Sequence, residues 1–74
     1  MSDNIWGLDV EVQKKILEAR IAKLAQSGYQ HQLNLKFSEA QGQEEAAAKH
    51  KDLMNGTFSA LKFHKEELDK LTAE

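Results

Sequence analysis

A small or apolar residue returns at every seventh position through the second half of the chain: Leu33, Ala40, Ala47, Met54, Leu61 and Leu68. A seven-residue repeat keeps one face of an α-helix apolar, whereas a strand, with a period of two, gains nothing from it. The sequence contains no proline, so no position forbids a helix outright. The repeat runs through Gly42 and Gly56 without a slip, and a turn has no reason to preserve such a register. It is not a leucine zipper, however. Four residues after each member come Phe37, Glu44, Lys51, Phe58, Lys65 and Thr72, and three after come Lys36, Gln43, His50, Thr57, His64 and Leu71. The ends are apolar and the middle is slim and alanine-rich.

A second helical pattern precedes this one. Asp9 is placed to cap a helix, and Asp9 and Glu11 put negative charge at the positive end of its dipole. From residue 10 to 27, Val12, Ile16 and Ala19 form one stripe and Leu17, Ile21 and Leu24 the next, at spacings of three and four. Gly28 suits the left-handed position after a helix, with Tyr29 and Leu24 as the apolar pair that closes a Schellman motif. The sequence therefore predicts an all-α fold, a single small helical domain over residues 1–74. Residues 1–8 form an irregular N-terminal segment, and a helical hairpin follows with helices at about 9–27 and 29–72. The alternative is a three-helix bundle in which Asn55-Gly56 breaks the chain and Thr57 caps a third helix. Glycine inside a helix costs about 1 kcal/mol relative to alanine, but the unbroken register favours the hairpin.

The two lengths differ in a way that matters. At 1.5 Å per residue the first helix spans about 28 Å and the second about 65 Å. Folded back from Gly28, the first helix reaches the second only to about residue 48. The expected packing inside the hairpin joins Ile16, Leu17, Ile21, Leu24 and Tyr29 to Leu33, Phe37, Ala40 and Ala47. Leu53, Met54, Phe58, Leu61, Leu68 and Leu71 are left uncovered, and they form the expected self-association interface. Cysteine is absent, so disulfides do not staple the fold. A chain below about 80 residues then leans on oligomerisation or a partner for stability.

Composition limits the chemistry. Ten Lys and Arg against twelve Asp and Glu give a formal charge of −2, without the basic excess that nucleic-acid binding usually shows. None of His31, His50 and His64 lies in the Glu-x-x-His or His-Glu-x-x-His arrangement that helical metal sites use. Ser2, Ser27, Ser38 and Ser59 lie in no nucleophile elbow, and there is no glycine-rich phosphate loop. The expectation is a non-catalytic protein without cofactor or metal. It acts as a homo-oligomer, first of all a dimer, and offers a helical surface to another protein as adaptor, assembly factor or small structural subunit. The competing reading is a three-helix regulator that contacts nucleic acid through the first helix and the segment of residues 29–34. The longest apolar run, Ala46-Ala47-Ala48, is far short of the roughly twenty residues of a membrane span. The N-terminus lacks the pattern of a secretory signal, so a cytoplasmic location is expected. Ile5 and Trp6 are expected to fold back over the open end of the hairpin, with Gly7 as the pivot.

Overall fold

The computed structural model describes residues 5–73. Two α-helices, α1 (Val10–Ala40) and α2 (Glu44–Ala73), pack against each other as an antiparallel hairpin. The expected class and the long second helix are both present, and α2 continues through Asn55-Gly56, so the chain does not form three helices.

The position of the turn differs from expectation. α1 passes through Gly28 and ends only at Ala40. Gly42 adopts φ +71°, and its N–H donates to the Glu39 carbonyl at 3.1 Å while the Gln43 N–H donates to the Ser38 carbonyl at 2.9 Å. That pair of bonds is a Schellman motif with glycine at the left-handed position. Gln43 then starts α2 by accepting from the Ala47 N–H at 2.9 Å. The motif lacks its usual apolar pair, because Ser38 and Gln43 occupy the places that Leu24 and Tyr29 would fill around Gly28.

This correction removes the length mismatch. With 31 residues in α1 and 30 in α2, the helices are equal partners along an elongated body of 50 × 20 × 18 Å. The far end of α2 has α1 beside it. At the start of α1, Asp9 stands at the N-cap with extended backbone but makes no side-chain cap bond. Gln13 secures that end instead: its N–H donates to the Asp9 carbonyl at 3.0 Å and its Nε2 donates to the Leu8 carbonyl at 2.8 Å. Gly7 does turn, with φ +66°, but Ile5 and Trp6 stay 81% and 79% exposed and do not cover the open end.

Candidate protein interaction surface

The contact between the helices follows two heptad rows on each. On α1 these are Lys14, Leu17, Ile21, Leu24, Gly28, His31, Leu35 and Ser38; on α2 they are Ala47, His50, Met54, Thr57, Leu61, His64, Leu68 and Leu71. Each of these residues is half-buried except Ser38, which is buried. Their spacing alternates three and four, the seam of an antiparallel coiled coil. A Cβ built on Gly28 would lie 3.5 Å from the Thr57 methyl, which fixes the register. With Gly28 opposite Thr57, antiparallel pairing sets Leu24 opposite Leu61, Ile21 opposite His64, Leu17 opposite Leu68, His31 opposite Met54 and Leu35 opposite His50.

All three histidines therefore sit in the seam rather than on a solvated face. The Nδ1 of His64 donates to the Ala60 carbonyl at 2.6 Å, since a carbonyl can only accept. The His64 ring stands edge-on to Phe63 with centroids 5.5 Å apart. The Nε2 of His31 lies 3.5 Å from the Ser27 hydroxyl. The Nδ1 atoms of His31 and His50 are buried without a hydrogen-bond partner. No cluster of three or more His, Asp or Glu side chains suited to a metal ion occurs among the described residues.

The seam does not make a core. Among the described residues no apolar side chain is buried, and Ser38, at 3% exposure beside the turn, is the buried residue. Eleven large apolar residues are exposed: Ile5, Trp6, Val10, Val12, Ile16, Tyr29, Leu33, Phe37, Leu53, Phe58 and Phe63. The two flanks of the seam differ. One is partly closed by Gln13, Ser27, Ala46, Ala60 and Glu67, all half-buried; on the other, Glu18, Ala25, Gln32, Lys51, Phe58 and Lys65 are exposed. The open flank is a groove of about 330 Å³ whose floor is Leu24, Gly28, Met54, Thr57 and Leu61 and whose rims are Ala25, Tyr29, Gln32 and Phe58.

The residues expected from sequence fall into two groups. Leu17, Ile21, Leu24 and Ala47 lie half-buried in the seam between α1 and α2. Ile16, Tyr29, Leu33, Phe37 and Ala40 are exposed, because α1 continues past Gly28 and does not fold against residues 29–40. Of the six residues assigned to self-association, Met54, Leu61, Leu68 and Leu71 lie half-buried in the seam against α1, and Leu53 and Phe58 are exposed. Residues 29–34 belong to the middle of α1, not to a separate segment after a turn at Gly28. The floor residues Gly28 and Thr57 were missed. Their signal was the second heptad row on α1, hidden once Gly28 was read as a stop.

No helix among the described residues is long and apolar enough to cross a membrane. Comparison of the chain with protein-family models, curated proteins and solved structures gives no match.

Proposed function

We propose that this chain is a non-catalytic helical interaction module that works as a homo-oligomer. A single observation carries the proposal: the hairpin buries none of its described apolar side chains and exposes eleven large ones. Monomeric proteins rarely expose a contiguous apolar surface beyond a few hundred Å², and two helices of this length have no interior in which to hide theirs. Association of hairpins supplies the missing layer, and the open groove between Tyr29 and Phe58 is where that layer is thinnest. The seam rows contribute Met54, Leu61, Leu68 and Leu71 to the floor of the assembly, and Phe58 contributes its rim.

The outward faces of the two helices support a second role, contact with another protein. Opposite the seam, α2 carries Glu45, Asp52, Ser59 and Glu66, a solvent face. The same stripe on α1 reads Val12, Ala19, Gln26, Leu33 and Ala40, all exposed. A helix apolar on both sides is flanked on both sides, so α1 is the helix that a partner protein covers.

A dilution series tests the homo-oligomer. Stability that depends on association falls with concentration. Helical circular dichroism and the midpoint of thermal unfolding are both expected to drop as the chain is diluted from high to low micromolar. A midpoint constant over a hundredfold dilution contradicts the proposal.

A further inference from the structure

Building on the self-association just proposed, we infer that two hairpins join groove to groove with both turns at the same end, forming an all-antiparallel four-helix bundle. The occupant of the groove is a second copy of this chain, and charge along its rims selects the symmetry.

The rim positions follow from the residues that line the groove. Seven-residue steps from Ala25 and Gln32 reach Glu11, Glu18 and Glu39. Steps from Tyr29 reach Lys15, Ala22 and Lys36, and steps from Phe58 reach Glu44, Lys51 and Lys65. Asp69 lies one turn beyond Lys65 on the outer side. All of these residues are exposed. Within the hairpin, the register fixed by Gly28 and Thr57 brings Glu18 level with Lys65, Lys15 with Asp69, and Ala25 with Phe58.

Two ways of pairing groove to groove satisfy a two-fold axis. With the axis along the helices, both turns lie at one end and α1 runs beside the partner's α2. The levels inside the hairpin then recur between copies. Glu18 meets the partner's Lys65, Lys15 meets the partner's Asp69, and Ala25 makes room for the partner's Phe58. Beside the turn Glu39 meets the partner's Glu44; with every contact doubled by symmetry, two like-charged pairs are set against four attractive ones. With the axis across the helices, the turns lie at opposite ends and each helix runs beside its own copy. With the axis level with Ala25 and Phe58 at the groove, Lys15 faces the partner's Lys36, Glu11 faces the partner's Glu39 and Lys51 faces the partner's Lys65. Every charged pair in that arrangement is repulsive. Exposed pairs are individually weak, but like charges set directly across an interface reject a pairing more strongly than opposite charges reward one. The same-end arrangement is the one these rims allow.

Charge reversal tests this with a readout that contacts inside one chain cannot mimic. E18K alone and K65E alone each turn the Glu18–Lys65 contact between copies into a repulsion, twice per dimer. Self-association of each variant is expected to weaken on the order of tenfold. Mixed one to one, the two variants should pair with each other preferentially and recover to within about twofold of the original affinity. Inside each chain the reversed pair stays repulsive in the mixture, so recovery reports only the contact between copies. A second measurement leaves the other copy's charges intact. The chain has no cysteine, so chains carrying E18C and chains carrying K65C are expected to form a disulfide-linked dimer when mixed and not when oxidised separately. A mixture of K15C and K36C chains is expected to give none. Cross-linking of K15C to K36C, or no preference between E18K and K65E, overturns the symmetry while a dimer mass preserves the homo-oligomer. A wild-type chain that stays monomeric overturns both.

Discussion

Between the start of α1 and the end of α2, three glycines do three different jobs, and only Gly42 makes a turn. Gly42 holds φ +71° and ends α1. Any side chain there is strained, so Gly42→Ala is expected to lower stability by about 1 kcal/mol or more at fixed protein concentration, read from chemical denaturation. Gly56 is helical and a Cβ there meets nothing within 4 Å. Gly56→Ala is therefore expected to raise stability by about 1 kcal/mol. Gly28 is helical too, with the Thr57 methyl at 3.5 Å from an added Cβ, an ordinary contact distance, and alanine there is expected to stabilise as well. If Gly42→Ala proves neutral, the turn assignment is wrong. The sequence misled at Gly28 because Leu24 and Tyr29 form a better apolar clasp than Ser38 and Gln43 do. Local chemistry favoured a stop at Gly28, and the heptad contact with α2 overrides it. A helix that continues keeps Leu35 and Ser38 in the seam; one that stops at Gly28 loses both rows beyond it.

At the scale of the elements, α2 was legible and α1 was half legible. The register Ala47, Met54, Leu61 and Leu68 is one complete seam row of α2. Leu33 and Ala40, the first two members of the same repeat, lie across the Gly42 turn and face outward from α1, so the repeat describes one helix correctly and crosses a break that it does not reveal. Leu17, Ile21 and Leu24 were recognisable from their spacing, but Gly28, His31, Leu35 and Ser38 are too mixed in character to read as an apolar row. Two ion pairs lie on the helix surfaces, Lys70 with Glu67 at 2.8 Å and Lys14 with Glu11 at 3.7 Å, both spaced by three. Seam residues now have a double load, holding α1 to α2 and flooring the groove. Leu61→Ala is expected to cost about 2 kcal/mol and to lower helix content together with mass. A loss of mass with helicity unchanged at low concentration would place Leu61 outside the hairpin contact.

The whole molecule is a seam without an interior. Two helices about 46 Å long touch along eight antiparallel layers, and those layers include His31, His50, His64, Thr57 and Lys14. Such a contact orients the helices but gives little apolar burial, which is the dominant favourable term in folding. The sequence alone also called for an outside cover, but from a geometry that the structure replaces. The first helix is not too short for the second; both helices are exposed on the same open flank along their full length. The most direct test is sedimentation equilibrium of the purified chain across a wide concentration range. Convergence on twice the 8.4 kDa of one chain, with dissociation and loss of helix at the dilute end, is the predicted result. A stable, fully helical species at 8.4 kDa throughout would contradict it, because a lone hairpin would then stand without the second copy proposed to cover its exposed groove.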